Sequence, residues 1–117
     1  MCNFCNQESQ DLLHLFCHCP VVKKFWNEVN TWLCELDVLV FPLSMIDICF
    51  GVQSRNDFVN SIIFYAKYFI YRCKHSDKII SFRLFQKEIS FLEKVEYIIA
   101  LRQGKLLIHL EKWKVLM

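Results

Sequence analysis

Apolar residues recur at three- and four-residue intervals along most of the chain after Pro20, which is the spacing of one face of an α-helix. The clearest stripe follows Asn56 and Asp57, either of which can cap a helix. It runs without a break through Val59, Ile62, Ile63, Ala66, Phe69, Ile70 and Cys73. The pattern predicts a long helix with one continuous buried face.

Three similar apolar stripes predict further helices, and residues that start, cap or stop helices indicate where each one begins and ends. One begins at Pro20, since proline is tolerated in the first turn of a helix. Another is capped by Ser81 and runs to about Gln103, where Gly104 is a natural stop. The last covers residues 105–115. Its inward positions are expected to be Leu106, Leu107, Leu110 and Trp113, with His109 at the surface or partly packed.

The segment 37–51 separates the first two of these helices and contains Pro42 and Gly51. It is too apolar to be a free linker, so we expect it to pack on the helices. Residues 46–50 can form a short helix or an extended piece. Composition agrees with a helical core: 55% of the 117 residues are hydrophobic, and only two are glycine and two proline. The fold class predicted is all-α, a small bundle of about four to five helices.

Cysteine and histidine are concentrated in the first 26 residues. Cys2, Cys5, His14 and Cys19 follow the spacing C-x2-C-x8-H-x4-C, and thiolates with an imidazole at such spacings suit a closed tetrahedral Zn²⁺ site. A short helix over residues 10–18 would present His14. Because a residue before proline is driven out of the α region, Cys19 should leave that helix and close the site.

Two neighbouring side chains leave open which four residues bind the metal. His18 and Cys17 share a helical face with His14 and can each replace a ligand. The structural alternative to a metal site is a set of reduced, buried thiols. The domain organisation predicted is a zinc-binding turn plus helix over residues 1–36, with the helical bundle of residues 37–117 packed on it as one compact domain.

These motifs resemble the zinc-binding domain at the C-terminal end of LINE-class (non-long-terminal-repeat) retrotransposon reverse transcriptases. The resemblance rests on CNFC, on HLF followed by Cys19-Pro20-Val21-Val22, and on Phe25-Trp26, with softer likeness in AKYFIYRCK and HLEKW. That family commonly has a bulky aromatic residue and a glutamate where this chain has Cys17 and His18. The resemblance implies a non-catalytic module that helps a reverse transcriptase hold template RNA or target DNA, the catalytic parts lying upstream in the family.

Charge is uneven along the chain. Residues 1–50 carry two lysines against six acidic residues, a net charge of −4, whereas residues 51–117 carry twelve basic against six acidic residues, +6. Aromatic and basic residues are interleaved on the long helix, a mixture that can bind single-stranded nucleic acid by stacking and phosphate contacts. The candidate nucleic-acid-binding residues are Phe4, Lys23, Lys24, Lys67, Arg72 and Lys74. The plainer interpretation is that the cations solvate helix surfaces and the aromatics are core.

Several function classes are disfavoured. The chain has no phosphate-binding loop, no dinucleotide fingerprint and no nucleophile elbow, and a closed zinc site leaves no open position for water. We therefore expect no enzyme activity and no small-molecule substrate. The partners expected are RNA or DNA, or a reverse transcriptase. The alternatives are a zinc-stabilised protein–protein interaction module and a decayed transposon fragment.

An intracellular, reducing compartment, cytoplasm or nucleus, is expected from two features. Seven cysteines is an odd number, and the start of the chain lacks the pattern of a secretory signal. No membrane association is expected, because the longest apolar run, 58–71, is short and interrupted by Lys67.

Overall fold

The structure is a computed structural model that describes residues 16–17, 19–52 and 56–116. Five α-helices and one 3₁₀ turn account for most of them, and this part of the chain contains no strand. The helices are α1 (Pro20–Glu35), α2 (Met45–Phe50), α3 (Asp57–His75), α4 (Phe82–Gln103) and α5 (Leu106–Trp113), followed by the 3₁₀ turn Lys114–Leu116. The all-α prediction is confirmed, and the helix predicted over residues 10–18 lies almost entirely outside the described residues.

Local chemistry explains where the helices begin and end. Pro20 occupies the first turn of α1, where the amide proton it lacks would have no helical partner. Asn56 caps α3: its Oδ1 accepts a hydrogen bond from the Val59 amide at 3.0 Å. Gly104 ends α4 with φ +70°, a conformation that only glycine adopts at little cost. These boundaries lie within one or two residues of those predicted from the sequence.

The described contacts divide the chain into two compact units, residues 1–82 and 83–117. The division between the two units falls after residue 82, later in the chain than the predicted boundary after residue 36. The predicted boundary stays a prediction, because most of the predicted zinc-binding turn lies outside the described residues. Within the described ranges, no helix is both long and apolar enough to cross a membrane.

Aromatic packing between α1 and α3 forms the core of the first unit. The ring of Phe25 lies 5.8 Å from that of Phe69 and 6.4 Å from that of Phe82, between centroids. Trp32 meets Phe58 and Phe82 edge to face. Such pairs add about 0.5–1.5 kcal/mol each to the free energy gained from burial alone. The buried stripe of α3 is the one its apolar spacing predicts.

The segment between α1 and α3 is tied back to both helices by side-chain amides. Asn30 Oδ1 accepts from the Leu43 amide at 2.9 Å, and Asn60 Oδ1 accepts from the Val52 amide at 2.8 Å. Leu43 and Ile48 are buried, so the connector packs at these two positions as expected. Most of its other large apolar side chains are exposed, which the sequence-based expectation did not include: Val40, Phe41, Met45, Ile46 and Phe50. Residues 45–50 are helical and begin with a reciprocal cap between Ser44 and Asp47.

The second unit differs from the sequence-based expectation. His109, expected at or near the surface, is buried, and its Nε2 lies 3.0 Å from Glu93 Oε1. Leu107, expected inward, is exposed. The reason is the packing of α5 against α4. The His109 imidazole is hydrogen-bonded to the Glu93 carboxylate and contacts the rings of Tyr97 and Trp113, and these interactions offset the cost of burying the imidazole.

The apolar face of α4 is only partly buried. Phe85, Ile89 and Ala100 are buried, whereas Leu84, Phe91, Ile98 and Ile99 are exposed. Apolar residues occupy most of the circumference of α4, so periodicity identifies the helix without identifying the face that is covered.

Candidate metal site and nucleic-acid interface

Cys19 stands directly before α1, and its backbone is extended (φ −62°, ψ 127°). This is the conformation expected of a residue that precedes proline. Its side chain is fully buried, and it lies at the N-terminal end of a sixteen-residue helix, where the helix dipole favours negative charge such as that of a metal-binding thiolate. The position of Cys19 therefore fits the role predicted for it.

Cys17, one of the two substitute ligands, is half-buried before α1. Burial, together with the nearby Cys49 thiol, raises the pKa of Cys17 to about 11, and Lys67 opposes the shift. The protonated thiol is favoured there in the absence of a metal ion.

The remaining predicted ligands, Cys2, Cys5 and His14, and the substitute His18, lie outside the described residues. Among the residues that are described, no three histidine, cysteine, aspartate or glutamate side chains converge on a point where a metal ion could sit. The ligand set Cys2, Cys5, His14 and Cys19 stays a prediction that the position of Cys19 fits.

An aromatic stripe runs along the outside of α3. Phe64, Tyr68 and Tyr71 are 63%, 54% and 46% exposed, and with His75 they recur at the four- and three-residue steps that align one helix face. The plainer interpretation placed these rings in the core. We call Phe64, Tyr68, Tyr71 and His75 the aromatic face of α3.

Basic residues flank the aromatic face on both sides. At about 100° per residue, Lys67 and Lys74 fall along one edge and Arg72 along the other. The Arg72 guanidinium lies over the Tyr68 ring, 4.8 Å from its centroid, and the Lys67 ammonium donates to the Cys49 carbonyl at 3.4 Å. The first contact holds the Arg72 guanidinium on the aromatic face, and the second holds the Lys67 ammonium against α2. The structure thus brings three of the six predicted nucleic-acid-binding residues together.

The other three predicted residues lie elsewhere. Lys23 and Lys24 are exposed on α1, and Lys24 borders an open groove of about 420 Å³ whose walls include Phe25, Ile79 and Phe82. Phe4 lies outside the described residues. The structure does not gather these three with the cations of α3.

The sequence-based list of binding residues omitted the aromatic face itself. Tyr68 and Tyr71 lie off the apolar stripe that the spacing predicts to be buried, but spacing does not separate exposure from packing on a second side. His75 lies beyond the end of that stripe; it is the last residue of α3, and its ring is 4.2 Å from that of Tyr71. The signal that could have found it is spacing, since His75 follows Tyr68 by two helical turns and Tyr71 by one.

Comparison of the chain with protein-family models, with curated proteins and with solved structures finds no match.

Proposed function

We propose that the chain is a non-catalytic zinc-binding module that binds single-stranded RNA or DNA through the aromatic face of α3. The observation that carries the proposal is the exposure of three aromatic rings in a row, Phe64, Tyr68 and Tyr71, on a helix edged by cations. Bases stack on exposed aromatic rings with little regard to sequence, and lysine and arginine contact the phosphates.

The zinc part of the proposal rests on the predicted ligand spacing and on Cys19. Cys2, Cys5, His14 and Cys19 would hold the ion in a closed set of four, which supplies folding free energy and no reactive water. Cys19 and Val22 are both fully buried at the start of α1, so a metal held at Cys19 would anchor the N-terminal turn to the core of the first unit.

Stacking can be tested with one aromatic variant and an exposure-matched control. Each stacked base contributes about 1–3 kcal/mol, so Phe64→Ala should weaken binding to a fluorescent single-stranded homopolymer by roughly 5- to 150-fold. Phe91→Ala removes an equally exposed ring, 64% against 63%, from α4 and should leave affinity unchanged. Fluorescence anisotropy measures both, with circular dichroism to confirm unchanged helicity. Equal affinity of the Phe64 variant and the parent chain would refute the proposed stacking.

The cations give an independent readout in the salt dependence of binding. A triple variant, Lys67→Ala, Arg72→Ala and Lys74→Ala, should bind more weakly and with a flatter dependence on salt. The logarithmic slope should change by about 2, since each phosphate contact on a single strand contributes about 0.7. The matched control changes three exposed cations of α4, Lys87, Lys94 and Arg102. An unaltered slope in the α3 variant would exclude this helix from the nucleic-acid footprint.

A second candidate function is docking on another protein, a reverse transcriptase included. The observation that favours it is the row of exposed apolar residues on α4: Leu84, Phe91, Ile98 and Leu101. Apolar docking survives high salt, whereas phosphate binding weakens steeply. At about 1 M salt, charge interactions are screened beyond a few ångströms. A complex with a reverse transcriptase that persists at this salt concentration, together with no oligonucleotide binding at low salt, would favour this second function.

A further inference from the structure

His75 stands at the accessible end of the aromatic face. It is the last residue of α3 and is exposed, and its ring lies 4.2 Å from that of Tyr71. His109, by contrast, is buried and hydrogen-bonded to a carboxylate of α4, and His14 and His18 lie outside the described residues. Of the histidines that the structure describes, His75 is the one that a bound strand can reach.

Local hydrogen bonds close the end of α3 and anchor the backbone of His75. The amide and the hydroxyl of Ser76 both donate to the Arg72 carbonyl, at 3.0 and 2.6 Å. The Lys78 amide donates to the Cys73 carbonyl at 3.0 Å. The imidazole therefore continues the row of rings from an anchored last turn.

Charged groups of both signs surround His75, on α3 and in the turn after it. Arg72, Lys74 and Lys78 repel a further positive charge, whereas Asp77 and the C-terminal end of the helix attract one. Among the described residues, no carboxylate lies within salt-bridge distance of the imidazole. Histidine is the side chain whose charge ordinarily changes between pH 5 and 8, so its capacity to bind an anion there depends on pH.

We propose that protonated His75 binds a backbone phosphate of the strand held on the aromatic face, an inference that rests on the function proposed above. The imidazolium carries a positive charge and two N–H donors, and its charge-assisted hydrogen bond to a phosphate oxygen is stronger than a neutral one. The neutral ring still stacks beside Tyr71. A fall in pH from about 8 to about 6 therefore adds one phosphate contact to the interface.

The affinity for a strand should rise as the pH falls, because a bound phosphate favours the charged form of the imidazole. An exposed ion pair changes affinity by roughly 2- to 5-fold. One additional phosphate contact on a single strand steepens the logarithmic salt dependence by about 0.7. Both quantities can be measured on the intact chain.

The experiment measures binding of a short fluorescent deoxythymidine strand to the zinc-loaded chain by fluorescence anisotropy, at about pH 6 and about pH 8 and at several salt concentrations. Thymine bases carry no group that titrates in this range, so the strand is the same at both pH values. The parent chain is compared with His75→Gln, which is neutral throughout, and with His75→Arg, which is cationic throughout. Zinc content and circular dichroism at each pH show whether the fold is retained.

The parent chain should bind roughly 2- to 5-fold more tightly at the lower pH, with the steeper salt dependence. His75→Gln should match the parent at the higher pH under both conditions, and His75→Arg should match the parent at the lower pH. The same pH dependence in the parent and in His75→Gln would overturn the role of His75 while leaving binding to the aromatic face intact.

The arginine variant provides a second, independent comparison. If His75→Arg binds no more tightly at the higher pH than the parent chain does, a cation at this position makes no phosphate contact and the proposal fails. If none of the three proteins binds the strand at either pH, the proposed nucleic-acid function itself is refuted, and the role of His75 with it.

Discussion

Replacing Trp26 by phenylalanine tests whether one hydrogen bond anchors the segment that leads into Cys17 and Cys19. Trp26 is 3% exposed, and its ring meets that of Phe25 edge to face at 5.9 Å. A phenyl ring in the same place keeps much of this contact. The substitution removes the indole N–H that donates a hydrogen bond to the carbonyl of Phe16 at 2.8 Å.

The expected loss of stability has two parts. A part-buried carbonyl left without its donor costs about 1–2 kcal/mol, and the smaller ring loses roughly another 1 kcal/mol of packing. We expect Trp26→Phe to lower the free energy of unfolding by about 2–3 kcal/mol. For a folded unit of this size, that corresponds to a fall in Tm of roughly 10 °C or more.

Trp32→Phe is the matched control on the same helix. Trp32 is half-buried and packs edge to face on Phe58 and Phe82, but its indole N–H makes no hydrogen bond with the described residues. The same atoms are removed without breaking an anchor, so the loss should be about 1 kcal/mol or less. Urea unfolding followed by far-ultraviolet circular dichroism measures both variants without relying on tryptophan fluorescence. Equal losses in the two variants would refute the anchoring argument.

Two further predictions concern the glycines and the metal. Gly51→Ala should destabilise the chain by at least about 1 kcal/mol more than Gly104→Ala, as measured by thermal melting. Both glycines have positive φ, so alanine is strained at either position. A Cβ at Gly51 would also lie 2.8 Å from Asn60 Oδ1, whereas a Cβ at Gly104 would meet no atom within 4 Å. A larger loss at Gly104 would contradict this account. Cys5→Ser or His14→Ala should release zinc and lower the Tm sharply, with Cys34→Ser as control, as judged by metal analysis and melting curves; retained zinc and an unchanged Tm in both variants would exclude a structural zinc site.

Helix positions could be predicted because the residues that set them act locally. Pro20 starts α1, Asn56 caps α3 and Gly104 ends α4, each through backbone geometry or a hydrogen bond within one turn. The extended backbone of Cys19 follows in the same way from the proline after it.

Burial and pairing were harder to predict because they depend on residues distant in the sequence. His109 is buried through its contact with Glu93 on another helix, and Asn30 of α1 accepts a hydrogen bond from the Leu43 amide thirteen residues later. Neither contact leaves a periodic trace in the sequence. The exposure of Phe64 on α3 likewise depends on what the rest of the chain leaves uncovered, so the sequence identified the cations of the candidate interface but not its aromatic centre.

The length of the aromatic face sets a limit on what it can hold. From Phe64 to His75 the helix rises by about 16 Å, at 1.5 Å per residue. Stacked bases are spaced about 3.4 Å apart along a strand, so a strand lying along α3 in the proposed manner engages roughly five nucleotides. A longer strand would then gain little affinity for a single copy of the chain. It would offer many overlapping registers instead, and several copies could coat it in tandem.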